Sequence, residues 1–281
     1  MPRASDGVLE QAQPPASLRE VFRRRAFELP PSTARSWLAD VEMPEEYPDW
    51  WAFSEYADLL TFERDACHLA RAVVLFPESP GSLAELGALA VDESIVDRLL
   101  IVVQSKYLQD QTRESFLNLG PLKRARSRRL ECVIGANSPA ELSSDEIETI
   151  MEFVDERLPH VRDTEKLNIE NSTHKLLLIA DLVDLLLVCK PIELQAALAH
   201  FRLSMSVNEI KRATDLLKFF SLIRIENRGT ETFFARHDRT DRPWVNYTAK
   251  HGAPPFDRSR FKLDRKPLLD RRHLSILGRA T

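Results

Sequence analysis

Two carboxylates and two hydroxyls crowd into one short stretch, Pro77-Glu78-Ser79-Pro80-Gly81-Ser82-Leu83-Ala84-Glu85. The apolar run before it, residues 72–76, reads as a buried strand, and residues 83–91 read as a helix. That order sets Glu78 and Glu85 at the carboxyl end of a parallel strand, where open α/β sheets bind their ligands. A carboxylate so placed can serve a bound molecule as acid, base or nucleophile. Gly81 lets the backbone come close to a ligand. Ser82 is a good helix N-cap whose hydroxyl can also face a ligand, with Ser79 nearby. With Ser82 as the cap, Glu85 becomes the third helical residue, and the positive end of its own helix favours its ionised form. It could then close a capping box, so a purely local role stands beside the chemical one. Gly87 and Ala88 are small enough to let the helix pack close to a sheet.

The elements that must hold this stretch are legible around it. Residues 58–71 place Leu59, Phe62, Ala66 and Leu69 at helical spacing, and this helix carries Glu63. Residues 98–103 and 130–134 are continuous apolar runs of the kind found in a parallel sheet buried on both faces. The expected class is α/β: a small Rossmann-like parallel sheet over residues 18–138, after a flexible stretch at 1–17. Residues 40–53 read as a short strand and an acidic, aromatic loop with Trp50 and Trp51. Asn118, in Ser115-Phe116-Leu117-Asn118-Leu119-Gly120-Pro121, is a further candidate ligand contact, with a plain structural turn as the alternative. A helix and linker follow at 139–172. Residues 173–238 read as a mostly helical winged helix-turn-helix domain. It has a helix over 174–189, a second from Pro191, and a third capped by Ser206 with Glu209 three residues on. A hairpin signal surrounds Asn227, Arg228 and Gly229. Residues 239–281 show no periodicity and are expected to form a basic arm.

Composition narrows the classes. With 281 residues and 43% hydrophobic content, the chain can build two cores. No run of 18 apolar residues suggests a membrane span, and residues 1–17 lack the apolar region of a secretory signal. Cys67, Cys132 and Cys189 are far apart and form no metal-binding motif. A cytoplasmic chain with no metal or cofactor is expected. The net charge of -4 hides an asymmetry: residues 211–281 hold 17 basic and 8 acidic residues, an excess of nine, which leaves -13 on the rest. Lys211, Arg212 and Lys218 on the third helix of the rear domain, Arg228 in the hairpin, and Lys123 and Arg124 in the front domain are candidate phosphate contacts. A solvated basic tail and a protein-binding winged helix are the alternatives.

The turn also carries a resemblance. Gly81, Ser82, Glu85, Leu86 and Gly87 match, position by position, the Gly–small hydroxyl–x–x–Glu–aliphatic–Gly turn of nucleoside deoxyribosyltransferase-like proteins. Phe76–Ala88, together with Ser115–Arg124, resembles retron effector proteins that join such a front domain to a winged-helix rear domain. The resemblance covers roughly residues 40–236. It implies that Glu85 is a nucleophile that stabilises an oxocarbenium-like centre and bonds to C1′, with Glu63 and Glu78 orienting or assisting. Ser79 stands where the transferases carry an Asp, and Arg71 replaces another of their acids. The implied substrate is NAD or a nucleotide, which would make the chain a toxin in antiphage defence. The implied partners are a reverse transcriptase with its multicopy single-stranded DNA and RNA, and the chain is expected to form a homo-oligomer or larger assembly. The alternative is a catalytically inactive DNA-binding or assembly scaffold, favoured by the lack of an apolar strand in residues 1–17.

Overall fold

The computed structural model describes residues 17–30, 33–43, 56–109, 113–160, 164–237, 243–248, 252 and 254–278. The chain divides into two compact units: Met1–Val41 with Ala72–Val161, and Glu42–Arg71 with Arg162–Thr281. Trp50, Trp51 and the expected aromatic loop lie outside the described residues, as do residues 1–16.

Two helices precede the first strand, α1 (Leu18–Phe27) and α2 (Leu59–Leu69). Helix α1 belongs to the first unit, which continues with β1 (Val73–Leu75), α3 (Pro80–Ala90), β2 (Leu99–Gln104), α4 (Lys123–Ser127), β3 (Glu131–Ile134) and α5 (Ser144–Arg157). The three strands are parallel in the order β1-β2-β3, with Val73 opposite Leu99 and Ile101 opposite Glu131. All six residues of β2 are buried, as a central strand covered on both faces requires. Alternation along the strands turns Val102, Cys132 and Ile134 toward a core shared with Val21 and Phe22 of α1 and Ile147, Ile150 and Met151 of α5. Each such aliphatic side chain contributes about 1.5–3 kcal/mol when fully buried. Ser143 caps α5 in a reciprocal box with Glu146.

The second unit contains α6 (Ser172–Leu185), β4 (Val188–Cys189), α7 (Pro191–Ala199), α8 (Val207–Phe219), β5 (Ile223–Arg228), β6 (Glu231–Arg236), α9 (Arg258–Arg265) and α10 (Arg271–Leu277). Its sheet is antiparallel in the order β4-β6-β5. Arg228 pairs with Glu231 across a two-residue turn, and Gly229 takes φ +64°, which only glycine adopts cheaply. Pro191 opens α7, and Ser206 with Glu209 forms the expected capping box on α8. The core joins α6, α7 and α8 to Phe62 and Ala66 of α2. Helix α2 was expected in the α/β domain, but its apolar face packs in this second core instead. Cys67 and Cys189 are buried in this unit and Cys132 in the first.

The basic arm expected over residues 239–281 is folded in its described part. Helices α9 and α10 dock on the second unit because their cations find acids on α6, α7 and β6. Among the described residues no helix is long and apolar enough to cross a membrane.

Candidate functional site

Three strand ends meet along the carboxyl edge of the parallel sheet, and each is finished differently. After β1 the chain passes through buried Phe76 and Pro77, and the Glu78 amide turns back to donate to the Phe76 carbonyl at 2.9 Å. Helix α3 then starts at Pro80, three residues before the position expected from the sequence. Ser79 is the cap: its Oγ accepts from the Ser82 amide at 3.2 Å, while the Ser82 Oγ accepts from the Ser79 amide at 3.0 Å. The Ser82 Oγ also accepts from the Glu78 amide at 3.0 Å. Both hydroxyls expected to face a ligand are thus engaged in starting the helix. Pro80 fits the first helical position because its missing N–H would have no partner there.

Glu85 consequently sits in the second turn, outside the capping box, and is partly buried. The local capping role does not apply to it, and the helix dipole, felt mainly in the first turn, helps it less than expected. Gly81 is not required by backbone strain: a Cβ there would meet only the Ser79 Oγ, at 3.8 Å. Gly87 does not bring the helix onto the sheet either. A Cβ there meets nothing within 4 Å, and Ala88 is exposed, while Leu86, Leu89 and Ala90 make the buried face.

Glu78 has a structural task. Its Oε2 accepts from the Leu18 amide at 2.7 Å and its Oε1 from the Arg19 amide at 3.2 Å. A helix N-terminus is a ready anion site, and this side chain fills the one on α1. Glu78 therefore fixes the turn in place. Glu63 lies on α2 in the second unit, partly buried, and does not share the compact unit that holds Glu85.

At the end of β2, Gln104 is buried, with Nε2 donating to the Ala136 carbonyl at 3.4 Å. Its Oε1 is buried without a donor among the described residues. At the end of β3, the Gly135 and Ala136 amides donate to Glu146 Oε1 at 2.7 and 2.9 Å. Burial alone would raise the Glu146 pKa. The amides of Ser143, Ala136 and Gly135 and the Ser143 hydroxyl outweigh it and hold the carboxyl below its ordinary range. Asn118 also turns inward. Its Nδ2 donates to the Tyr107 carbonyl and to Ser115 Oγ, pinning the segment after β2 rather than presenting an amide to a ligand. It opens a π-helical turn, Asn118–Leu122, that accommodates Pro121.

The expected phosphate contacts are largely neutralised by neighbours. Arg124 pairs with Glu93, Arg128 with Glu93 and Asp97, and Arg126 with Glu131. Arg212 lies 3.6 Å from Asp65 and over the Tyr56 ring, and Arg228 binds Glu226 at 2.7 Å. Lys211, Lys218 and Lys123 are exposed.

The most heavily bonded acids were not singled out in the sequence. Asp181 and Asp184 are buried on α6. Asp181 accepts from the Trp244 and Val245 amides, from the Tyr247 hydroxyl at 2.7 Å, and from Arg258. Asp184 accepts from Arg236, Arg258 and Lys262. Burial alone would raise the Asp184 pKa, but Lys262 and then Arg236 outweigh it and hold the carboxyl below its ordinary range. Nearby, Glu193 binds Arg265 and His273, and Glu231 binds Lys190 and Arg272. The available signal was two aspartates three residues apart in an otherwise apolar helix. Among the described residues no cluster of side chains is suited to a metal ion.

Two proteins of Escherichia coli resemble this chain over part of its length. The "Retron Ec86 putative ribosyltransferase/DNA-binding protein" is 31% identical over 100 residues, 35% of this chain and 32% of that protein. The "Retron Ec73 putative ribosyltransferase/DNA-binding protein" is 33% identical over 87 residues, 31% of this chain and 26% of that protein. The chain thus matches about a third or less of the length of either relative. The broader match spans residues 15–225, three quarters of the chain and both units: the chain belongs to the STM3845 retron effector protein family.

Proposed function

We propose that this chain is a cytoplasmic effector toxin of a retron antiphage system that cleaves an N-glycosidic bond in NAD or a nucleotide. Glu85 is the nucleophile. One of its oxygens attacks C1′ of the sugar, the C1′–N bond breaks, and the base leaves with the electron pair. Water then attacks C1′ and loses a proton, to solvent when the base is nicotinamide or to the departed base of a nucleotide, and the carboxylate is released. Nicotinamide needs no proton donor to leave, because its ring nitrogen is already positive. This suits a site in which Glu78 is committed to backbone amides.

One observation carries this reading. The serines at 79 and 82 cap α3 between themselves, so Glu85 is held partly buried in the second turn of the helix that follows a parallel strand, without being needed as the cap. In the second unit, the order α6-β4-α7-α8-β5-β6 supports reading it as a winged helix, with α8 as the helix that would meet a nucleic acid through Lys211 and Lys218. The retron reverse transcriptase and its DNA are the proposed partners and hold the toxin in check.

Mass spectrometry of NAD and nucleotides after induction is the test. Wild type should deplete one of these pools, and Glu85→Gln should slow depletion by roughly a thousandfold or more while the chain still assembles. Undiminished cleavage by Glu85→Gln would remove the nucleophile assignment. The second reading, a DNA-binding scaffold without catalysis, is favoured by the commitment of Glu78 and by Glu63 lying in the other unit. No depletion by wild type would select it.

A further inference from the structure

The motif at Ser115–Arg124 builds something that the catalytic reading does not use. Between α3 and the π-helical turn lies a groove of about 420 Å³, lined by Gly87, Ala90 and Val91 on one side and by Phe116, Leu119 and Lys123 among others on the opposite side. Its walls are apolar and unusually open to solvent: Phe116 is 84% exposed, Val91 69% and Leu119 59%. Contiguous exposed apolar surface of this kind marks an interaction site. The floor has room, since nothing lies within 4 Å of a Cβ built on Gly87.

We propose that this groove receives a helix of a partner protein, one that inserts a large apolar side chain and sets a carboxylate beside Lys123. Charge selects that occupant. Arg124, which lines the groove, is already bound to Glu93, and its sequence neighbours Arg126 and Arg128 are bound to Glu131, Glu93 and Asp97, so little positive potential remains for a phosphate backbone. Lys123 lines the groove, is exposed, and has no anionic partner among the described residues. A helix laid in an apolar groove with one complementary charge is a common recognition mode.

The position of the groove gives the contact a consequence. Residues 85 and 87 differ by about 200° around a helix, so α3 carries Glu85 on one side and the groove wall on the other. A helix seated there bears directly on the element that positions the nucleophile. This rests on the reading above, in which the chain works in a complex with a reverse transcriptase, and makes the groove the place where that protein restrains the toxin.

The test co-expresses the full chain with a retron reverse transcriptase and its RNA. The complex is purified after nuclease digestion, comparing wild type with Phe116→Ser/Leu119→Ser. Both positions are exposed, so the variant should unfold at the wild-type temperature. Wild type should retain the reverse transcriptase, and the variant should retain roughly tenfold less and deplete its substrate without the phage signal. A third chain, Gly87→Leu, fills the floor and should also release the partner. Equal retention by all three chains overturns the groove while leaving the proposed function standing. No retention by wild type even before digestion overturns both the groove and the proposed partner. Loss of wild-type retention on nuclease digestion, or a self-associated form of the isolated chain that the double variant dissolves, assigns the groove to nucleic acid or to a second copy and overturns the proposal.

Discussion

The two units satisfy their buried and half-buried carboxylates in different ways. In the first, Glu78 and Glu146 accept from backbone amides at a helix start and a strand end. Those donors are fixed by the backbone, and the result is a stiff rim on one sheet. In the second, Asp181, Asp184, Glu193 and Glu231 are met largely by cationic side chains, several of them delivered from residues 258–273. The first arrangement sharpens a local geometry. The second binds a distant segment of chain to the helices it covers. A rim of the first kind suits a site that must hold an atom in place, and a network of the second kind suits a body that must stay whole.

The largest effect should come from breaking the second arrangement. Asp181→Ala leaves the Tyr247 hydroxyl and two amides without their acceptor and the half-buried Arg258 guanidinium with only Asp184 and the Val245 carbonyl. It should cost about 3–5 kcal/mol in denaturant unfolding and open residues 243–278 to protease. A smaller loss is expected in the first unit. Glu78→Ala removes the acceptor of the Leu18 and Arg19 amides and should cost about 1–3 kcal/mol. Faster hydrogen exchange should be confined to the start of α1, and Glu78→Gln should restore part of the protection.

Acid gives the mildest contrast. Asp184 and Glu146 both have pKa values below their ordinary range, so their stabilisation is complete above about pH 5 and is lost as the pH falls through the depressed values. Hydrogen exchange followed from pH 5 downward should show α9 and the turn at Gly135–Ala136 loosening in acid. A segment that loosened toward neutral pH instead would contradict the sign.

Much of the fold could be read from residue periodicity. The three strands of the first sheet, the face of α5, the Pro191 and Ser206 helix starts and the hairpin at Gly229 all stand where apolar spacing or turn chemistry put them. The start of α3 did not, because Ser79 and Ser82 are both competent caps. The deciding signal was Pro80, which is at home one residue after a cap. Periodicity says that a face is buried but not against what, and so α2 could not be assigned to its unit in advance. Helix α9 escaped because its pattern is inverted. Arg258, Lys262 and Arg265 turn toward acids while Phe261 and Leu263 are exposed, so hydrophobic spacing has nothing to report. At the site, Glu85 was identifiable as a carboxylate in a turn. That Glu78 would serve α1 depends on a contact sixty residues away, which no local pattern encodes.

The buried thiols give each unit its own clock. Burial pushes the Cys132 thiol up to about 11 and raises Cys189 as well, so neither is an effective nucleophile while its surroundings stay closed. An alkylating reagent can reach Cys132 only through an opening of the first core and Cys189 only through an opening of the second. The chain thus carries two internal stopwatches, and the difference between them times the breathing of one half against the other.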